Sequence, residues 1–285
     1  MQMRQLGDVQ VGAVGLGAMP LTEDERPSED EAIATVHAAL AAGVTLVDTA
    51  DAYTPSDRGL GMNEEVVAKA LSTYAGSGDQ VLVATKGGHT RDGAAWGLNG
   101  RPDYLRRACE ASLRRLGVDS IGLYQHHRPD PDVPYDETMG GLKDLHDAGL
   151  IQRAGISNAD PDQIRTAHAI LGSALASVQN QFSPAFRSSE PEIAVCAELG
   201  LAFLPWSPLG GSSVAKELGS THAAFADIGA AHGVSPQRVC LAWEMALSDC
   251  VVPIPGASRP ASIEDSAQAT DLILSDDELT RLSAT

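Results

Sequence analysis

Cations are scarce in this sequence of 285 residues. Its 20 Lys and Arg residues stand against 38 Asp and Glu residues, which gives a formal net charge of −18 at pH 7. A surface this negative repels phosphate backbones and anionic lipids. We therefore expect neither a nucleic-acid nor a membrane partner. Any anionic ligand requires a local pocket that is rich in backbone amides or lined by arginine.

Cysteines and long apolar runs are also few. No apolar stretch reaches the roughly 18 residues that are needed to cross a bilayer, and the first residues lack the apolar region of a signal peptide. The cysteines lie far apart without a C-x-x-C pair, which favours buried thiols over disulfides or metal ligands. They are Cys109, Cys196, Cys240 and Cys250. The sequence therefore predicts a cytoplasmic protein without a metal site.

The sequence does show a regular alternation of short apolar runs and amphipathic helical stretches. The candidate strands are Val14–Gly17, Thr45–Val47, Val81–Ala84, Ile121–Tyr124, Arg153–Gly155, Ser177–Gln179, Ala202–Leu204 and Val251–Val252. The helical patterns fall at 29–42, 63–75, 102–117, 136–149, 161–172, 189–199, 235–247 and about 260–270. Eight such units predict an α/β fold of the (β/α)8 TIM-barrel type. A doubly wound open sheet is the alternative.

The composition does not change along the chain, so we expect one domain over residues 1–285. An N-terminal hairpin at Met3–Val11 should cap the barrel floor, and an extra helix should lie near 221–232. Polar residues stand where the candidate strands end, and in a barrel these positions surround one mouth, where such enzymes place their chemistry. They are Asp48, Lys86, His127, Ser157, Asn158, Gln179 and Ser207.

The segment Asp48-Thr-Ala-Asp-Ala-Tyr53 is the densest of these clues. Taken alone, it is also compatible with a loop that holds an Asx turn and a packed tyrosine. A tyrosine is a poor acid at neutral pH because its unperturbed pKa is about 10. A neighbouring ammonium such as Lys86 favours the phenolate and lowers that pKa, while a buried carboxylate holds the ammonium in place. A histidine beside the phenol can orient a substrate carbonyl.

Seven motifs in order resemble the aldo-keto reductase superfamily, specifically a bacterial-type member with a short C-terminal tail. They are DTADAY, TKGG, LYQHHRPD, GISN, VQNQFSP, PWSPLGG and PIPGASRP, and they extend over nearly the whole chain. The resemblance implies a catalytic tetrad of Asp48, Tyr53, Lys86 and His127. It selects His127 over His126 because family members place this histidine directly before a Trp-Pro or Arg-Pro pair, and His126 is then a packing residue.

The resemblance also implies a binding site for NADPH, with NADH as a second candidate. Ser157, Asn158 and Gln179 match residues that bind the nicotinamide carboxamide, and Trp206 matches the aromatic residue on which the ring stacks. The remaining implied contacts are Gly17 and Met19 in the first strand–helix loop, Ser207, Leu209 and Gly211 at the pyrophosphate, and Gly256, Ser258 and Arg259 at the adenosine phosphate. Arg259 is the one cation expected to meet a 2′-phosphate.

These expectations together describe an NADP-dependent reductase that converts an aldehyde or ketone, its small-molecule partner, to an alcohol by hydride transfer, with Tyr53 as general acid. The substrate pocket should be formed by a Gly-rich loop at 87–101 that carries Trp96 and a solvated His89, together with 54–62 and 128–134. A non-catalytic nicotinamide-binding sensor or channel-β-like subunit would share the fold and the motifs. A metal-dependent barrel hydrolase would need clustered ligands such as H-x-H after strand one, which the sequence lacks.

Overall fold

Seven parallel strands form one curved sheet in the computed structural model of the protein, which describes residues 1–76, 78, 80–211 and 213–284. The strands of the chain are β1 (Met3–Leu6), β2 (Val9–Gly12), β3 (Leu16–Gly17), β4 (Leu46–Asp48), β5 (Leu82–Gly87), β6 (His89–Asp92), β7 (Ala95–Leu98), β8 (Leu123–His126), β9 (Ala154–Ser157), β10 (Leu175–Gln179) and β11 (Ala202–Phe203). The large sheet has the order β3, β4, β5, β8, β9, β10, β11.

Residues 251–254 take the place of the eighth strand and close the sheet. On one side Phe203 of β11 forms a parallel bridge to this segment, and on the other side Gly17 of β3 forms a parallel bridge with Gly256. A Cβ on Gly17 would lie 2.8 Å from the carbonyl oxygen of Ile254. Glycine is therefore required where the first and last strands approach each other. The (β/α)8 barrel is confirmed, and the alternative of an open sheet is wrong.

Nine of the helices in the described residues lie near the predicted helical patterns, and two short helices, Leu218–Thr221 and Asp276–Ser283, are additional to these patterns. The helices are α1 (Glu29–Ala41), α2 (Met62–Thr73), α3 (Pro102–Leu116), α4 (Tyr135–Asp147), α5 (Pro161–Leu171), α6 (Glu190–Leu199), α7 (Leu218–Thr221), α8 (Ala223–His232), α9 (Pro236–Leu247), α10 (Pro260–Ala267) and α11 (Asp276–Ser283). Local signals set their ends: Asp160 and Gln163 form a capping box at the start of α5, and Gly117 ends α3 with a φ of 69°.

The interior of the barrel is filled by apolar side chains and is closed at the amino-terminal end of its strands. Leu46, Leu123 and Val252 belong to one buried cluster with Leu6 and Val11, which come from the antiparallel hairpin of β1 and β2. The predicted hairpin is therefore present and seals the floor, so that the opposite, carboxyl-terminal end of the strands is the open one. This arrangement leaves the polar strand ends at the accessible mouth.

Candidate active site

The mouth of the barrel brings the four predicted catalytic residues together. Lys86, near the end of β5, donates from Nζ to Asp48 Oδ1 at 2.5 Å and to Tyr53 Oη at 3.1 Å. Its Nζ also lies 4.7 Å from the centroid of the Tyr53 ring. The rings of Tyr53 and His127 meet edge to face, with centroids 5.5 Å apart. Strands that are separated in sequence therefore place a carboxylate, an ammonium, a phenol and an imidazole in one contact network.

The ion pair of Lys86 and Asp48 is almost completely buried. The exposed fractions of their side chains are 0 and 3 %, and the ammonium donates a third hydrogen bond to the Thr49 carbonyl oxygen at 2.9 Å. The second carboxylate oxygen of Asp48 accepts from the amides of Gln125 and Gln179, at 3.1 and 2.8 Å. A buried pair is tolerated when its remaining hydrogen-bonding capacity is satisfied, and here both partners meet that condition.

Burial decides the pKa of Tyr53. Loss of solvent raises the pKa of this phenol above its ordinary value, and the Lys86 ammonium opposes that increase without cancelling it. The expectation that Lys86 leaves the phenol with a lowered pKa is therefore wrong in net direction, because desolvation is the larger effect. Burial is the largest single effect on Lys86 and disfavours its charged form, but Asp48 and Tyr53 together outweigh it and raise the pKa of the ammonium. At neutral pH the site holds a protonated phenol beside a charged lysine.

His127 is neutral in this environment. Burial lowers its pKa well below the ordinary value, and the positive charge of Lys86 lowers it further. Burial lowers the pKa of the adjacent His126 to about 4. Among the described residues neither ring nitrogen of His126 has a hydrogen-bond partner. His126 is buried, and its assignment as a packing residue stays a prediction. A neutral imidazole at His127 can donate a hydrogen bond to a carbonyl oxygen without competing with Tyr53 as the acid.

The residues predicted to bind a nicotinamide ring lie next to the tetrad. Ser157 Oγ donates to the Gln179 carbonyl oxygen at 2.7 Å, and the Asn158 amide donates to the His127 carbonyl oxygen at 3.0 Å. Asn158 has a φ of 58°, a conformation that asparagine tolerates better than most residues. Trp206 is half-buried, and its Nε1 has no hydrogen-bond partner among the described residues. The strand ends thus present amides, a hydroxyl and an indole to one surface.

The loop after β11 is the second unusual backbone segment. Ser207 has a φ of 52°, and Gly210 and Gly211 have φ values of 86° and 105°. A serine in the left-handed region is strained, and such strain is concentrated at functional sites. Leu209, by contrast, packs partly buried against the core. The loop therefore combines an anchored side chain with an unusual backbone path on both sides of it.

The last group of predicted cofactor residues lies across the junction of the first and eighth strands. Gly256 is bridged to Gly17, and a Cβ on Gly256 would lie 2.9 Å from Pro20 Cγ. Met19 and Ser258 are exposed beside this junction. Arg259 precedes α10, and its exposed guanidinium donates from Nε to Ser262 Oγ at 3.1 Å. The two predicted phosphate-side segments, 207–211 and 256–259, are thus both at the mouth.

Comparison with known proteins agrees with this geometry. A sequence profile described as the Aldo/keto reductase family matches residues 13–285. The chain belongs to this family. It is 33 % identical over 283 residues to an uncharacterized oxidoreductase of Schizosaccharomyces pombe, covering 98 % of this chain and 88 % of that protein. It is also 33 % identical over 299 residues to a probable aldo-keto reductase of Glycine max, covering 95 % and 84 %.

A solved structure shares the fold. An aldo/keto reductase from Klebsiella pneumoniae, determined in complex with NADP and acetate, superposes with a TM-score of 0.82 at 25 % identity, covering 99 % of this chain and 94 % of that one. Aldo-keto reductases are oxidoreductases that use NADP(H), and NAD(P)H-dependent reduction of carbonyl compounds is the reaction of the family. Membership therefore agrees with the reaction class that the strand-end motifs predict.

One wall of the mouth differs from the sequence-based prediction. The segment predicted as a Gly-rich loop at 87–101 contains an antiparallel hairpin of β6 and β7. His89 at its start is not solvated: it is half-buried, its Nδ1 lies 3.0 Å from the Gly97 carbonyl oxygen, and its ring meets that of His127 at a centroid distance of 4.3 Å. Trp96, across the hairpin, contacts the His89 ring at 5.1 Å. The hairpin therefore forms a fixed wall beside the catalytic histidine.

Sequence reasoning missed two buried polar residues that support the site. Gln125 of β8 holds Asp48, as described above. Asn63 at the start of α2 accepts from Thr49 Oγ1 at 2.6 Å and donates to the Ala18 carbonyl oxygen at 2.8 Å, which ties the loop after β4 to the loop after β3. The signal for Gln125 was available, since it lies two residues after Leu123 and therefore on the inward face of the same strand. No local feature of the sequence indicated that Asn63 supports the site.

The described residues contain neither a group of metal ligands nor a helix that could span a membrane. No group of three or more His, Cys, Asp or Glu side chains in the described parts of the chain is arranged to hold a metal ion. None of the described helices has both the length and the apolar character that a membrane crossing requires.

Proposed function

We propose that the protein, acting as one domain over residues 1–285, reduces an aldehyde or ketone to an alcohol with NADPH as hydride donor and Tyr53 as general acid. The observation that carries this proposal is the position of Lys86 Nζ, which is hydrogen-bonded at once to Asp48 and to the Tyr53 hydroxyl in a buried mouth. A carbonyl oxygen that is hydrogen-bonded to Tyr53 would lie within reach of His127, whose ring packs against the phenol.

The residues around the tetrad fit a nicotinamide dinucleotide. The polar edges of Ser157, Asn158 and Gln179 suit a carboxamide, and the half-buried indole of Trp206 offers a stacking surface with an unsatisfied Nε1. The strained backbone at 207–211 suits a pyrophosphate, because left-handed turns direct successive N–H groups to one point. When bound there, the cofactor supplies the hydride. Gly17, Met19 and the segment Gly256–Arg259 would then face the remainder of the dinucleotide.

Each member of the tetrad has a separate role in this proposal. Tyr53 gives its proton to the carbonyl oxygen as negative charge develops there, and Lys86 stabilises the phenolate that remains. Asp48 keeps Lys86 charged and in place. His127, being neutral, donates a hydrogen bond to the same carbonyl oxygen and aligns it. Preorganised dipoles and charges of this kind account for a large part of the rate enhancement in many enzymes.

The direct test is a steady-state assay of NADPH oxidation with a panel of simple aldehydes and ketones. We expect turnover that depends on both components and that persists in the presence of a metal chelator. Tight NADPH binding without turnover of any carbonyl compound would contradict the proposal and would favour the non-catalytic sensor. Activity that chelators abolish would contradict the cofactor-only chemistry.

The cofactor preference gives a second prediction, at Arg259. The 2′-phosphate distinguishes NADPH from NADH, and an arginine that meets it with charge-assisted hydrogen bonds contributes about 1.5–3 kcal/mol. We expect Arg259→Ala to weaken NADPH binding by about 10- to 100-fold, since about 1.4 kcal/mol corresponds to one decade, and to leave NADH binding nearly unchanged. Fluorescence titration of both cofactors into both proteins measures this difference.

The control for this prediction is Arg114→Ala, which removes another exposed guanidinium from the outer surface of α3 and should affect neither cofactor. Arg259 is exposed and bonded to Ser262, so a purely local role at the start of α10 predicts equal small changes for both cofactors. Equal losses for NADPH and NADH, or none for either, would remove Arg259 from the phosphate site.

A further inference from the structure

Arg128 is an exposed guanidinium at the mouth, and no carboxylate of the described residues forms an ion pair with it. It follows His127 directly in the sequence, and its Nη2 donates to Asn158 Oδ1 at 3.1 Å. In the parts of the chain that the structure describes, no ion pair reaches Arg128, although many other cations of this acidic protein are paired. A guanidinium has five N–H donors in a planar fork, so Arg128 retains donors for a ligand.

Arg91, another arginine near the tetrad, already makes several contacts within the protein. Arg91 of β6 donates to the carbonyl oxygens of Ala52 and Gly93 at 3.2–3.3 Å, and its guanidinium lies 4.2 Å from the centroid of the Trp96 ring. Its role is therefore to hold the hairpin of β6 and β7 against the loop after β4. Among the described residues Arg128 makes one side-chain hydrogen bond where Arg91 makes three, so Arg128 keeps more of its donors free.

Arg128 adds a positive charge near His127 and His89 in a protein that is strongly negative overall. Burial lowers the pKa values of both His127 and His89, and the charges of Lys86 and Arg128 lower them further. Both imidazoles are therefore neutral, and the charge of Asp48 is offset by Lys86. Whereas the charge of Lys86 is balanced by Asp48, Arg128 has no carboxylate within ion-pair distance among the described residues. On a background of −18, such a group attracts anions locally.

A cavity of about 320 Å³ opens beside Arg128, on the side of the residues that the proposed function assigns to the nicotinamide. Asn158, Phe186 and Trp206 line it, together with the carboxyl groups of Asp160 and Glu192. Asp160 Oδ1 accepts from the Gln163 N–H at the start of α5, and burial raises the pKa of Glu192. Two acidic groups on the remaining wall disfavour a highly charged ligand.

We propose that Arg128 determines specificity by binding the carboxylate of the carbonyl substrate, so that the preferred substrates are oxo acids. This inference rests on the proposed function, since the carbonyl group must still reach Tyr53 and His127. A carboxylate matches the planar guanidinium fork with two parallel hydrogen bonds. The anionic end of the substrate then lies at Arg128 while its carbonyl end lies at the tetrad.

The experiment compares 4-formylbenzoate with 4-formylbenzamide, which are nearly identical in shape and differ in charge. The measured quantity is the ratio of their kcat/KM values with saturating NADPH. We expect the wild-type ratio to favour the acid by about 10-fold or more, and Arg128→Gln to lower the ratio by about 10- to 100-fold. Arg128→Lys should restore part of it. Arg114→Gln is the control, and rising salt should lower the wild-type ratio.

A wild-type ratio near one, or a ratio that Arg128→Gln leaves unchanged, would overturn the proposal. Equal losses for acid and amide would also overturn it, because they would place Arg128 with Asn158 at the cofactor. Calorimetric titration of both compounds into the protein saturated with NADP+ gives a readout that needs no turnover. If the wild type reduces neither compound yet binds the acid selectively through Arg128, the proposed function fails and the anion site stands.

Discussion

Tyr53→Phe should reduce turnover of a good carbonyl substrate by at least about 100-fold, the lower range for general acid catalysis. The substitution removes one hydroxyl and leaves the ring, so the contacts of this ring with His127 and Lys86 are kept. NADPH affinity and the melting temperature should therefore change little. Steady-state kinetics together with fluorescence titration of NADPH separate a loss of chemistry from a loss of binding.

Tyr74→Phe is a matched control, since it deletes a phenol hydroxyl on a residue that packs against His37, away from the mouth. It should retain the activity of the wild type. The loss in Tyr53→Phe should appear in kcat more than in KM, because the proton is transferred only in the transition state. Near wild-type reduction by Tyr53→Phe would show that another group supplies the proton and that the tetrad assignment is wrong.

Lys86→Met should lower both the free energy of unfolding and the rate of catalysis. Asp48 would lose its counterion while remaining buried, and breaking a buried ion pair typically costs about 3–5 kcal/mol of unfolding free energy. Burial already raises the pKa of Tyr53 and Lys86 opposes it, so without the ammonium this pKa increases further. Alcohol oxidation, which needs the phenolate, should then fall by more than 100-fold, about the range for general base catalysis, and its pH profile should move to higher pH.

Lys143→Met is the control for stability. Lys143 pairs with Asp147 on the surface of α4, and both side chains are largely exposed, so the change should cost less than about 1 kcal/mol. Denaturant unfolding of both variants and the pH dependence of oxidation by folded Lys86→Met give the two readouts. An unshifted oxidation profile in a folded Lys86→Met protein would contradict the role of Lys86 in setting the pKa of Tyr53.

Most of the fold was predictable because its signals are local. The apolar runs locate all eight strand positions of the barrel to within a few residues, and the extra helix is present as α8. The segment 87–101 was the main error of secondary structure. Its glycines indicated a loop, but His89 and Trp96 pack on each other and Arg91 donates to Ala52 across the mouth. The first contact lies within the segment, and the second joins it to the loop after β4, which the local sequence of 87–101 does not encode.

The candidate site likewise has one part that the sequence predicts and another part that depends on the tertiary structure. The positions of Asp48, Lys86 and His127 follow from where strands end, and the structure brings these residues and Tyr53 together. The support of Asp48 by Gln125 and Gln179 depends on three strands that are distant in sequence. The net direction of the pKa of Tyr53 also could not be read from the neighbours of this residue, because it depends on how completely the closed mouth excludes water.

By itself, the sequence determined the alternating pattern, the strand-end residues and hence the fold class, since each depends on short-range periodicity and spacing. Only the tertiary structure decided that His89 packs on His127 and that Arg91 donates to the Ala52 carbonyl oxygen. It also decided that Arg128 lies beside a cavity and has no carboxylate partner among the described residues. These facts concern desolvation and the pairing of charges between loops far apart in the chain. Both depend on which side chains the closed barrel brings within a few ångströms of each other, and no local pattern encodes that.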